Sequence, residues 1–141
     1  MDVEFNYLAV LLAAVSSMLV GSIWYMPQVF GKSWTRLSKV KLDKNLSGKA
    51  MLKMYGGVFA ASLFTAYVLA HVAFLSSQFF GSDLLQAALS TGFWLWLGFT
   101  ATRIFVHDVF ENRPFALTVL NSAHELATIL VMAIVIGKMG S

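Results

Sequence analysis

Residues 115–137 read FALTVLNSAHELATILVMAIVIG, and this stretch decides the class of fold. It has about the ~20 residues that a helix needs to cross the hydrocarbon core of a bilayer. Near its middle stand His124 and Glu125, side by side. An ionisable residue at mid-membrane costs about 2.5–3.5 kcal/mol on insertion scales, so it normally has a partner or a purpose. Three further apolar runs of similar length occupy residues 7–26, 55–75 and 84–106.

Composition agrees with the runs. The chain of 141 residues is 58% hydrophobic and only 12% charged, whereas soluble domains are about a quarter charged. That leaves too little polar surface to cover four such runs in water. Tyr7, Trp24, Tyr25, Trp34 and Tyr55 lie near run ends, where the amphipathic rings of membrane proteins gather. The expected fold is an all-α membrane protein with one domain over residues 1–141. Its four transmembrane helices form an antiparallel bundle. The first run follows Asp2 and Glu4 rather than a basic segment, so it reads as a retained span and not a cleaved signal.

The bases are distributed unevenly. Lys32, Arg36, Lys39, Lys41, Lys44, Lys49 and Lys53 fill the first connection, Arg103 and Arg113 flank the third, and Lys138 alone falls on the other side. The positive-inside rule places loops 27–54 and 107–114 in the cytoplasm and both termini outside. Residues 28–34 mix aromatics with a base, as a segment lying at the headgroups does. Membrane lipid is therefore an expected partner, and the bases set topology or touch anionic lipid. Nucleic acid is not an expected partner, because these bases lie beside the membrane and lack a folded platform.

Small residues recur on the runs. Gly56/Ala60 and Gly57/Ala61 are small-xxx-small pairs of the kind that let helices cross closely. A thin bundle with such faces points to a homo-oligomer, with a dimer as the simplest closed symmetry. Residues 24–30 (Trp-Tyr-Met-Pro-Gln-Val-Phe) echo residues 104–110 (Ile-Phe-Val-His-Asp-Val-Phe) at an offset of eighty. A two-plus-two parallel pseudo-repeat would produce such an echo, and so would chance likeness between apolar segments.

Two motifs carry a resemblance. Gly21-Ser22-Ile23-Trp24-Tyr25-Met26-Pro27, followed by Phe30-Gly31-Lys32-Ser33-Trp34, resembles the opening signature of the bacterial membrane family called domain of unknown function 1761 (DUF1761). Phe110-Glu111-Asn112-Arg113-Pro114-Phe115, then Asn121 and His124, looks like its second signature. The resemblance covers nearly the whole chain. It implies a small four-helix protein of the bacterial cytoplasmic membrane, and it assigns no residue a role.

The chemistry-bearing residues concentrate on the fourth run. Thr118, Asn121, Ser122, Glu125 and Thr128 recur at three- and four-residue spacing, which puts them on one helix face. Counted from the start of the run, Glu125 lies about 15 Å deep. Asn121, His124, Glu125 and Thr128 form the candidate polar site. Two readings stay open: a proton or cation site, or polar glue between helices or subunits. Secondary candidates are Tyr67 with His71, four apart on the second run, and Arg103, His107 and Glu111 on the third. His107-Asp108-x-x-Glu111 offers ligand types a metal uses, but no second histidine stands nearby. A salt network that Arg113 joins explains it more cheaply.

Catalysis finds little support. The sequence has no cysteine, no nucleophile elbow, no Walker loop and no paired histidines at metal spacing. No cofactor or metal is implied. The leading expectation is a small ion, proton or small-molecule transporter or channel-like protein. The alternative is a structural or partner-binding membrane protein. A lipid-acting enzyme comes third and needs a headgroup-level cavity near His107 and Glu111.

Overall fold

The computed structural model describes residues 6–140. Asp2 and Glu4, on which the reading of the N-terminal flank rests, lie outside these described residues. The protein is all-helical, with 85% of it in helix and no strand among the described residues. Four helices are long and apolar enough to cross a bilayer.

Helix α1 spans Tyr7–Trp24, capped by the Asn6 side chain, which accepts from the Leu8 N–H at 2.9 Å. It stops where Pro27 forces its predecessor out of helical geometry, and Met26 is extended (φ −63°, ψ 144°). A π-helical turn, Pro27–Gly31, redirects the chain into the short helix α2, Lys32–Ser38. The headgroup segment read from residues 28–34 is thus helical for its whole length.

Helix α3 spans Gly48–Phe80, far longer than the run at 55–75. Ser47 caps it, accepting from Ala50 N–H at 3.2 Å. At 33 residues it is about 50 Å long, so it overreaches a bilayer core. The third span is one rod in three parts: α4 (Leu84–Leu95), a π-helical segment (Trp96–Ala101) and α5 (Thr102–Phe110). Asp83 caps α4 through Gln86 N–H at 2.9 Å. Asn112, with φ 54°, turns the chain into α6, Phe115–Met139, with Pro114 just ahead of its first turn.

The two echoing stretches have different backbones. Residues 24–30 break and rewind, whereas residues 104–110 stay α-helical.

Helix α1 packs on α3 and α6, and α4 packs on the same two. The start of α1 meets the end of α6, where the Asn6 amide donates to the Met139 carbonyl at 3.0 Å. The end of α1 meets α6 at Asn121 and His124. Gly137 near the end of α6 abuts Leu85 at the start of α4.

The core is built mainly from small residues: Ala13, Ala14, Ala66, Ala70, Ala73, Ala88 and Ala133 are buried around Leu69, Met132 and Ile136. In lipid, apolar helices gain little by hiding from solvent. Close van der Waals packing holds them together, and small residues permit it. This core fills one half of the bundle, since no residue of α3 before Ala66 is buried. Gly56 and Gly57 lie in that outlying stretch with no atom within 4 Å of an added Cβ. The small pairs expected to serve helix crossing therefore serve no crossing inside this chain.

Large apolar side chains such as Leu19, Phe64, Phe79 and Phe99 point outward. In water such patches would mark binding surfaces or aggregation. On helices of this length they suit lipid.

Candidate functional site

The half of the bundle without the alanine core is aromatic and polar. Pro27 ends α1 just after Trp24 and Tyr25, and both rings turn towards α6. The Tyr25 hydroxyl donates to Asn121 Oδ1 at 3.1 Å. Its ring centroid lies 4.9 Å from that of His124, and Trp24 approaches the same imidazole at 5.9 Å. Trp34 of α2 meets Tyr25 edge-on at 5.7 Å, and Phe30 of the π turn meets Trp24 at 4.6 Å.

His124 is nearly enclosed, with 14% of its side chain exposed. Its Nδ1 stands 3.3 Å from Glu125 Oε1, and its Nε2 stands 3.4 Å from Thr128 Oγ1. A neutral imidazole protonated on Nδ1 satisfies both contacts: Nδ1–H donates to the carboxylate, and Nε2 accepts from the threonine.

Glu125 has a different environment. Its side chain is 44% exposed. With Tyr25, Phe99, Arg103, His107 and Asn121 it lines a cleft of about 520 Å³. Phe99 belongs to the π-helical segment of the third span, a distortion that recurs at functional sites. Trp96 opens that segment, and its Nε1–H donates to the Ser122 carbonyl at 2.8 Å, tying the segment to α6.

Asp108 also borders the cleft but is only 8% exposed. Its Oδ2 accepts from the buried Thr118 hydroxyl at 2.7 Å. This bond joins α5 to α6 away from solvent. Replacing Thr118 with valine keeps the shape and leaves the carboxylate without that donor. The expected loss is about 1–3 kcal/mol of stability, with Thr118→Ser close to wild type. Unfolding of the detergent-solubilised protein checks this, and equal stability of the valine and serine variants would refute it.

The stripe read from the sequence therefore divides by role. Thr118 and Thr128 are buried in packing, Asn121 is pinned by Tyr25, and Glu125 opens onto the cleft. Arg103 and His107 from the third span meet Asn121 and Glu125 in that one cleft. Glu111 does not join them. It pairs with Arg113 at the surface, so the network along α5 is split.

Tyr67 and His71 stack with centroids 6.2 Å apart on α3, and neither lines the cleft. No group of three or more acidic or histidine side chains is placed to hold a metal among the described residues.

Helix α1 has 18 residues, about 27 Å, and it runs beside α6 from Met139 back to Asn121. The site thus stands level with the end of α1, and the first turns of α6 project past it beside α2.

Trp24, Tyr25 and Asp108 belong to the site although the sequence reads each of them for something else. At a run end the two aromatics look like part of a membrane belt, although a Trp-Tyr pair just before a helix-breaking Pro is a usable signal. Asp108 reads there as one of the ligand types in His107-Asp108-x-x-Glu111 and not as a partner of Thr118.

A family model described as "Protein of unknown function (DUF1761)" matches residues 8–137. No curated protein and no solved structure matches the chain.

Proposed function

The chain belongs to the DUF1761 family of unknown function, and from the arrangement of its cleft we propose that it is a small membrane transport protein whose polar site is built around Glu125. The observation that carries this reading is the contrast between two carboxylates. Asp108, bonded to Thr118, is enclosed, as polar glue should be. Glu125 is half open and shares a cleft with Arg103 and His107. A carboxylate kept only for packing would gain nothing from that exposure.

In this reading the cleft faces the cytoplasm, with loops 27–54 and 107–114 on the same side. The alanine-rich core around Leu69, Met132 and Ile136 packs the other half of the bundle. A packed half of this kind suits a carrier that must rearrange, rather than an open pore. Glu125 and His124 hold or pass the proton or cation. Asn121, fixed by Tyr25, orients it, and Arg103 admits an anionic group.

A second reading has support of its own. Tyr25–Asn121, Thr118–Asp108 and Trp96–Ser122 all join different elements, so part of the stripe does serve packing.

Proton and cation flux into proteoliposomes separates the two, comparing wild type with Glu125→Gln at equal folded protein. The amide keeps the shape and removes the charge. Transport requires flux in the wild type and its fall to the empty-vesicle background in the variant. No flux in either, with the variant less stable, would make Glu125 a packing residue.

A further inference from the structure

On the other side of Tyr25 lies a second and larger hollow, of about 750 Å³. Tyr25, Pro27, Lys32, Trp34, Arg36 and Leu42 line it. Tyr25 is thus a wall shared with the Glu125 cleft. Lys32 and Arg36 are four apart on α2, one turn above each other on one face, and both are exposed. The ion pairs among the described residues are Arg113–Glu111 and His124–Glu125, so neither base is neutralised by a carboxylate of the described residues. The remaining walls are aromatic or apolar apart from Thr35, whose hydroxyl donates to the Gly31 carbonyl at 2.9 Å.

We propose that this hollow is a binding site for the headgroup of an anionic phospholipid. Lys32 and Arg36 hold the phosphate, and Pro27, Trp34 and Leu42 receive the glycerol and the upper acyl chain. Charge and position argue for this occupant together. Two uncompensated bases one turn apart suit a phosphate, with the guanidinium able to bind two of its oxygens at once. The helix that carries them begins directly after the π turn that ends the first span, so the hollow opens where headgroups lie. Trp34, packed edge-on against Tyr25, is the kind of residue that settles at that level. A site for free phosphate would have no use for the apolar walls. This site does not depend on the transport reading, because no residue with a role in the Glu125 cleft except Tyr25 takes part in it.

The test uses the full chain reconstituted in phosphatidylcholine bilayers with or without phosphatidylglycerol, extracted in neutral detergent, with retained lipid identified by native mass spectrometry. Wild type is expected to retain phosphatidylglycerol in preference to phosphatidylcholine. A base near an anionic surface contributes about fivefold in affinity, so K32Q/R36Q should lose about twenty-five-fold. K44Q, on the same connection but outside the hollow, should keep wild-type retention. Should the double variant fail to elute as wild type does, R36Q alone, expected to lose about fivefold, decides in its place.

Three results would overturn the proposal. Equal retention of both lipids by wild type would show no headgroup preference. A loss in K44Q as large as in K32Q/R36Q would show diffuse loop charge instead of a site. Displacement of the retained lipid by soluble glycerol phosphate would make it a site for a free phosphate ester.

Discussion

Gly137→Val is expected to be the most destabilising single substitution in the bundle. Gly137 sits near the end of α6 and is buried against the first turn of α4. A Cβ there would lie 2.5 Å from Leu85 Cα, 2.9 Å from its Cδ1 and 3.0 Å from its Cβ. The nearest of these is a backbone atom, so no rotamer change relieves the overlap. The two helices must separate, and the short connection between α3 and α4 leaves the start of α4 little freedom to move.

Overpacking a well-filled interior typically costs about 1–3 kcal/mol, occasionally more. Gly137→Ala should fall in that range, and valine, with two more methyls, above it. Gly57 is the control, because no atom lies within 4 Å of its added Cβ. Gly57→Val should leave the fold of the single chain unchanged. Thermal and denaturant unfolding in detergent, followed by helical circular dichroism, reads all three. If Gly137→Val unfolds together with Gly57→Val, α4 and α6 are not in contact at Gly137 and Leu85.

Gly31→Ala should have the next largest effect, and of a different kind. Gly31 closes the π turn, its N–H donating to the Met26 carbonyl at 2.9 Å, and that carbonyl also accepts from Val29 N–H. A Cβ on residue 31 would run into the Tyr25 carbonyl oxygen and lie 2.9 Å from Met26 C and O. All are backbone atoms of the turn itself. The turn must open, and Tyr25 and α2 move with it.

The expected cost to stability is modest, about 1–3 kcal/mol, because the turn lies outside the alanine core. The cost to the sites is larger. The bond from Tyr25 to Asn121 should be lost, and the cleft and the hollow, which share Tyr25, should change together. The protein has no cysteine, so a spin-label pair at Lys32→Cys and Phe115→Cys reports directly on α2 against α6. The variant should shift and broaden the distance distribution while helix content stays constant. An unchanged distribution would mean that the turn tolerates a Cβ and that residue 31 does not press on the Tyr25 carbonyl.

Much of this architecture is legible in the sequence, because the features concerned are local. Within a bilayer every backbone N–H and C=O must find its partner inside the span, so a sufficiently long apolar run is a helix whatever surrounds it. The start of α4 behind Asp83 and the break at Pro27 follow from side chains within four residues. A hydropathy count underestimates the length of α3 because it stops where polar residues begin, whereas a helix continues while its hydrogen bonds do. Lys49 and Lys53 do not end α3.

The site is legible only in part. Spacing on α6 identifies the face that carries Thr118, Asn121, Ser122, Glu125 and Thr128, since periodicity reports how one helix sorts its own side chains. It is silent about the neighbour each position meets. Tyr25 reaches Asn121 across 96 positions of sequence, through the register in which α1 ends beside the middle of α6. Trp96 finds the Ser122 carbonyl because a π segment turns there.

By itself, then, the amino-acid order determined four apolar helices, their caps and breaks, and a polar stripe on the last of them. Each depends on hydrogen bonds and steric limits within a few residues. The tertiary structure alone decided that Asp108 is enclosed while Glu125 opens onto a cleft with Arg103 and His107. Burial of a side chain is set by the register and tilt of the helices beside it. Those depend on contacts such as Gly137 against Leu85, which link residues far apart in the chain and leave no period within it.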